Sequence, residues 1–275
     1  ADAAEIEVVN ERLAPSVGTC MVMGTASTMA CVVEAMGLAL PMSATIPAPH
    51  AERLRLAEAS GRRAAEMARS GEPRPSRLMT EAAFRNAQIV MQAIGGSTNG
   101  LIHLTAMARR AGVAVDIDSF DEIGRTVPVL VDLKPSGDHY MEHFHHAGGM
   151  PALLRALGDR IDLDATTVAG GTLRDVVDRA ETVPGQTVIR SDEAPIKPVG
   201  AMAVLRGNLA PRGALIKHSA ASPRLMNHTG RALVFESVAD MAERIDDPAL
   251  DVAPDDILVL RNAGPKGAPG MPEAG

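Results

Sequence analysis

A chain of 275 residues with 46% hydrophobic and 22% charged residues is long enough for one large or two modest domains, and this composition excludes a disordered, collagenous or coiled-coil chain. Aromatic residues make up only 2%, with no Trp, one Tyr and four Phe, and the formal net charge is -7, which argues against both base stacking and phosphate neutralisation and so against a nucleic-acid partner. No run approaches about 20 uninterrupted apolar residues, and the acidic start from Ala1 to Asn10 lacks a basic leader, so neither a membrane span nor a signal peptide is expected and a cytoplasmic location is.

In chain order, Gly24 to Met36 reads as a helix, with Thr25, Ser27 and Thr28 as candidate N-caps and Gly37 as its stop. Pro41 to Pro49 is expected as a loop, Ala51 to Arg69 as a charged helix closed by Ser70-Gly71, and Pro73 and Pro75 mark the break. Thr80 can cap a helix whose apolar face is Phe84, Ala87, Met91 and Ile94; Gly95-Gly96 ends it, and Ser97-Thr98-Asn99 caps the next, which ends at Arg109-Arg110 before Gly112. Val113, Val115 and Ile117 alternate with Ala114 and Asp116 as a strand would, and Val127 to Leu133 reads as a strand buried on both faces. Asp138 to His146 reads as a short helix, and Pro151 opens a helix over Ala152 to Leu157. Beyond Val183 to Pro198, short β-rich runs dominate: Ala201 to Leu205, Ala214 to Ile216, Ala232 to Phe235 and Ile257 to Leu260. The expected fold is therefore α/β over residues 1–187, followed by a β-type domain over 188–275.

Two cysteines make no disulfide framework in a chain this long. Cys20, in Gly18-Thr19-Cys20, lies just ahead of a helix N-terminus, which suits a nucleophile, a metal ligand or simply an inert thiol. Cys31, flanked by Ala30, Val32 and Val33, reads as a core cysteine. His139 and His143, with His145 and His146 behind them, have a zinc-like spacing, but no His-Glu-x-x-His pattern accompanies them and an exposed polar helix end explains them as well. Gly264 to Glu273 packs three Gly and three Pro into ten residues, giving a stiff loop that would hold Lys266 and Glu273 in place; such a carboxylate suits magnesium, and the pattern alone is equally a turn. The pairs Gly95-Gly96, Gly148-Gly149 and Gly170-Gly171 fit no nucleotide-binding fingerprint.

Taken in order, Gly18-Thr19-Cys20, Met23-Gly24-Thr25-Ala26-Ser27-Thr28-Met29, Glu34-Ala35-Met36-Gly37-Leu38, Gly95-Gly96-Ser97-Thr98-Asn99, Ala147-Gly148-Gly149, Gly207-Asn208-Leu209-Ala210-Pro211 and the Gly264 to Glu273 loop resemble the dihydroxy-acid dehydratase and phosphogluconate dehydratase family. The Gly24 to Met29 run and Arg261-Asn262-Ala263 are more similar to its sugar-acid (aldonate) branch. The resemblance implies dehydration of a 2,3-dihydroxy acid to a 2-keto-3-deoxy acid with an iron–sulfur cluster, [2Fe–2S] preferred over [4Fe–4S], and Mg2+. It also implies Cys20 as one of three cluster cysteines, Glu273 as a magnesium ligand, and Met271 and Pro272 facing the substrate. The implied fold is the later part of a three-layer α/β domain followed by the start of a β-barrel-like domain, and the implied assembly is a homodimer or homotetramer.

The family's other two cluster cysteines and remaining magnesium ligands would lie before Gly18, where too few residues stand to carry them, and its base serine would lie after Glu273. The chain is thus expected to be an internal piece of such an enzyme and inactive alone. A branched-chain dihydroxy-acid dehydratase and a non-catalytic scaffold of the same fold are the competing expectations.

Overall fold

The computed structural model describes residues 2–13 and 16–264 and divides the chain into two compact units, Ala1–Ala220 and Ala221–Gly275. It is a mixture of helices and small sheets. The first unit begins with α1 (Ala3–Leu13), which buries no residue, and α2 (Thr25–Ala35), whose face of Thr28, Cys31, Val32 and Ala35 is fully enclosed. The twenty-residue α3 (Ala51–Ser70) stays on the surface and ends at Gly71 in the left-handed region. A single turn, α4 (Pro75–Leu78), leads into α5 (Glu81–Ala93).

Helix α5 is the centre of the unit. The Thr80 hydroxyl accepts the Ala83 N–H to start it, and ten of its thirteen residues are buried. A helix enclosed this far round has to pack on several sides, and α5 meets α2 (Thr25–Ala35), α6 (Asn99–Ala111) and α7 (Ile117–Gly124). One apolar cluster joins Ile89, Val90 and Ala93 to Cys31, Phe144, Met150 and Leu154 on α2, α8 (Met141–His146) and α9 (Gly149–Leu157). The other joins Phe84, Ala87 and Met91 to Val32, Met36, Leu104 and Phe120. The unit closes with α10 (Leu173–Asp178) and an antiparallel pair, β1 (Ala203–Leu205) with β2 (Ala214–Ile216). Buried Gln92 carries α5 to this last part, accepting the Met202 N–H at 2.9 Å and donating to the Met202 carbonyl at 3.3 Å.

Several expectations are corrected. Val113 to Ile117 is not a strand: Asp116 accepts the Ser119 N–H and caps α7, which starts at Ile117. Val127 to Leu133 is largely buried, but it forms only isolated bridges, Val129 with Lys197, Val131 with Ile189 and Leu133 with His139. The facing stretch contains Pro195 and Pro198, which have no N–H to extend a ladder. Gly24, not a hydroxyl residue, is the N-cap of α2 and makes no side-chain bond. Pro151 lies in the first turn of α9, which begins two residues earlier.

In the second unit, β3 (Ala232–Phe235) pairs in parallel with β4 (Ile257–Leu260), Ala232 opposite Ile257, and α11 (Val238–Arg244) lies between them in sequence. Ser237 accepts the Asp240 N–H to start α11. Among the described residues of this unit Phe235 alone is buried. Among all described residues, no helix is long and apolar enough to cross a membrane.

Candidate functional site

Cys20 is exposed on an irregular segment whose backbone is held just after it, at Met21 and Met23. The Met21 carbonyl accepts the Met141 N–H at 2.8 Å, and the Met23 N–H donates to the Lys134 carbonyl at 2.9 Å. Just ahead, Gly18 has φ +133° and a Cβ there would stand 2.9 Å from the Ala48 methyl, so a side chain is excluded on both counts. Just behind, α2 begins with no side-chain cap and no acidic residue in its first turn. Its first N–H groups are therefore left for other acceptors, and its dipole favours negative charge.

The three hydroxyls expected to cap α2 are used elsewhere. Thr25 Oγ1 lies 2.8 Å from Ser97 Oγ and accepts from Asn99 Nδ2 at 3.3 Å. Ser27 donates to the Val22 carbonyl at 3.2 Å. Thr28, wholly buried, accepts the Ser97 N–H at 2.9 Å and donates to Met23 Sδ at 3.4 Å. Gly96 and Gly100 complete the joint: a Cβ at either would press on the Thr28 methyl at 3.0 and 3.1 Å. Two motifs some seventy residues apart, Gly18 to Met29 and Gly95 to Asn99, thus meet at the start of α2 beside the Cys20 segment.

Cys31 is fully buried, and burial, with the Glu34 carboxylate adding to it, pushes its thiol pKa up, so it is a core residue and not a ligand. Glu34 is a residue whose role sequence reasoning missed. Burial drives its carboxyl up to about 7, although it accepts N–H bonds from Met42 and Ala44 at 2.7 and 2.8 Å and the Ser43 hydroxyl at 3.4 Å. The available signal was a lone acid on the apolar face of α2. Through these bonds Glu34 holds the loop after α2 in place, including Met42, a non-glycine residue at φ 70°.

That loop abuts the Ala147-Gly148-Gly149 motif, since a Cβ at Gly149 would stand 2.6 Å from Thr45 Oγ1. His145 tucks in here with Nδ1 3.4 Å from Thr45 Oγ1 and Nε2 3.5 Å from Glu52, and burial lowers its pKa. A cleft of about 530 Å³ lies beside it, lined by Pro41, Met42, Glu52, His145, Pro151 and Arg179 among others, none from the Cys20 segment. His139 and His143 instead face each other at 3.4 Å on the surface. Among the described residues, no group of three or more His, Cys, Asp or Glu is placed to hold a metal ion. The Gly207 to Pro211 motif forms the turn between β1 and β2, with the Ala210 N–H bonded to the Gly207 carbonyl. Lys266, Met271, Pro272 and Glu273 lie outside the described residues.

Residues 1–176 match the family described as dihydroxy-acid/6-phosphogluconate dehydratase N-terminal, and residues 187–274 match its C-terminal counterpart. An L-arabonate dehydratase of Azospirillum brasilense is 50% identical over 249 residues, covering 90% of this chain and 42% of that protein. A 6-deoxy-6-sulfo-D-gluconate dehydratase of Pseudomonas putida is 42% identical, covering 94% of this chain and 45% of its own length. A dihydroxy-acid dehydratase of Acetivibrio thermocellus is 40% identical, covering 98% and 48% respectively. The chain spans somewhat under half the length of these relatives.

Proposed function

The chain belongs to the dihydroxy-acid/6-phosphogluconate dehydratase family, and from that premise we propose that the protein it forms part of is a hydro-lyase converting a 2,3-dihydroxy sugar acid to a 2-keto-3-deoxy acid. The observation that carries the reading is the meeting of the Gly18 to Met29 and Gly95 to Asn99 motifs beside Cys20. The sugar-acid branch is favoured by 50% identity to an L-arabonate dehydratase against 40% and 42% to dihydroxy-acid dehydratases.

An iron–sulfur cluster, of the [2Fe–2S] kind, and Mg2+ are the proposed cofactors. Cys20 fits one corner of such a cluster: its thiol is exposed, the backbone directly after it is fixed at Met21 and Met23, and an uncapped helix N-terminus follows at Gly24. The described residues supply no second thiolate, because Cys31 is sealed in the core, so the remaining cluster ligands would come from outside this chain and the chain alone would be inactive. Glu273 is proposed as a magnesium ligand, with Met271 and Pro272 against the substrate. When bound, the two centres supply Lewis acidity for loss of the C3 hydroxyl and for acidifying the C2 proton. The net reaction would remove the C3 hydroxyl and the C2 proton as water, and the enol so formed would tautomerise to the keto acid. The proton acceptor is expected in a segment beyond Glu273.

We propose further that residues 1–187 are the later part of a three-layer α/β domain and that 188–275 open a β-barrel-like domain. A homodimer or homotetramer in the cytoplasm is the proposed setting, where thiolate ligands stay reduced.

The test is made on the protein containing this chain, reconstituted anaerobically with iron and sulfide. L-Arabinonate should yield a 2-keto-3-deoxy acid faster than a branched-chain 2,3-dihydroxy acid does. Cys20→Ser should lose most of the bound iron and sulfide, and Glu273→Gln should keep them while losing about a hundredfold or more in turnover. A protein that binds stoichiometric cluster but prefers the branched-chain acid would be the biosynthetic enzyme, and one that binds no iron would be a scaffold.

A further inference from the structure

We infer that Thr28 is a positioning residue for Cys20: its hydroxyl seats the Cys20-bearing segment by joining it to the Gly95 to Asn99 loop through α2. The inference rests on the reading of Cys20 as a cluster ligand only for its catalytic meaning; the seat itself is a property of the described residues.

A threonine hydroxyl has one proton to give and lone pairs to receive. Thr28 uses both, donating to Met23 Sδ at 3.4 Å and accepting the Ser97 N–H at 2.9 Å, in a position with no exposure to water. Met23 is itself 2% exposed and lies three residues from Cys20, while its own N–H reaches the Lys134 carbonyl at 2.9 Å. The hydroxyl therefore touches the two things that decide where residues 20–23 run: the buried Met23 side chain that anchors their far end, and the loop that packs against the start of α2. The fit around it is close on every side. The Thr28 methyl faces Gly96 and Gly100, where a Cβ would stand only 3.0 and 3.1 Å from it, and the neighbouring Thr25 hydroxyl repeats the link to the same loop through Ser97 Oγ at 2.8 Å. Valine at this position would keep the shape and remove both bonds. The Ser97 N–H would then lose its acceptor in a half-buried joint.

Hydrogen exchange on the metal-free chain reads the seat directly, because the Met141 N–H to Met21 and the Met23 N–H to Lys134 hold the three residues that directly follow Cys20. Thr28→Val should speed exchange at Met23, Met141 and Ser97 by about tenfold beyond any change in α9, and Thr28→Ser, which restores the hydroxyl, should stay within about twofold of the parent. Phe120→Leu, a core change on α7 that touches neither hydrogen bond, controls for general loosening. In the reconstituted protein Thr28→Val should retain iron and sulfide but shift the cluster's reduction potential and electron paramagnetic resonance spectrum, with Thr28→Ser restoring both. Exchange in Thr28→Val that rises evenly through the unit as in Phe120→Leu, or a Thr28→Ser variant as loose as Thr28→Val, would overturn the inference. If the exchange result holds while Cys20→Ser keeps its full iron content, the seat stands and the reading of Cys20 as a ligand falls.

Discussion

Glu34 shows how one buried side chain couples acid–base chemistry to the shape of a loop. Its carboxyl, with an ordinary value of 4.5, is pushed to about 7 because burial disfavours the charged form more than the bonds from Met42, Ala44 and Ser43 and the charge of Arg53 favour it. A carboxyl that holds its proton more tightly when folded contributes stability that is complete below the unfolded value and disappears as pH rises through the folded one. Between pH 4.5 and 7 the carboxyl ionises in the unfolded chain while it stays protonated in the folded one, so the fold should lose about 3 kcal/mol from this group. His145 works with the opposite sign near its own range, since burial lowers its pKa. Urea denaturation of parent and Glu34→Gln chains at a series of pH values removes that overlap, because His145 is common to both. The parent-minus-variant stability should fall steadily from pH 4.5 to 7. A flat difference would mean that Glu34 titrates normally and that the loop after α2 is held by something else.

At the scale of elements, the helices of the first unit were legible where the chain carries its own start and stop. Thr80 caps α5, and Gly71 and Gly112 sit in the left-handed region just after α3 and α6. The strands β1 and β2 fall on runs read as β, Ala201 to Leu205 and Ala214 to Ile216, but strands were over-read earlier in the unit. Alternation at Val113 to Ile117 reports real burial of Val115, but a strand also needs a partner, and the Asp116 cap offered the backbone a local alternative. The site was legible as motifs and not as geometry, since nothing in the spacing says that Thr28 would turn from capping its own helix to hold Ser97. Gly37 tests the same point at an element end. It lies at φ +71° after α2, its carbonyl accepts the Val168 N–H at 2.7 Å, and a Cβ there would stand 2.6 Å from the Thr166 carbonyl oxygen. Gly37→Ala combines an unfavourable backbone with a collision against main chain, so a loss of roughly 2–4 kcal/mol is expected in chemical denaturation. Gly61→Ala in α3, where nothing lies within 4 Å of a new methyl, should instead be neutral or slightly stabilising.

For the whole molecule, the two compact units differ sharply in what holds them. The first is built around α5 with two apolar clusters, whereas Phe235 alone is buried among the described residues of the second. What the second unit has instead is surface electrostatics: Arg231 bridges Asp251 and Asp256, both at 2.7 Å, Arg261 reaches Glu236 at 2.9 Å, and Arg244 lies 4.9 Å over the Phe235 ring. Exposed ion pairs contribute little each, and a two-stranded sheet is marginal by itself. Local opening should therefore be far easier there. Amides of β3 and β4 should exchange about a hundredfold or more faster than those in the middle of α5, and 0.5 M salt, which screens ion pairs and leaves apolar clusters largely intact, should widen that gap. Brief proteolysis should likewise cut first within residues 221–231 and 246–256, releasing a resistant piece that ends near Ala220. Equal protection of β4 and α5 would show that strand pairing in the second unit is worth as much as a packed core, contrary to its exposure.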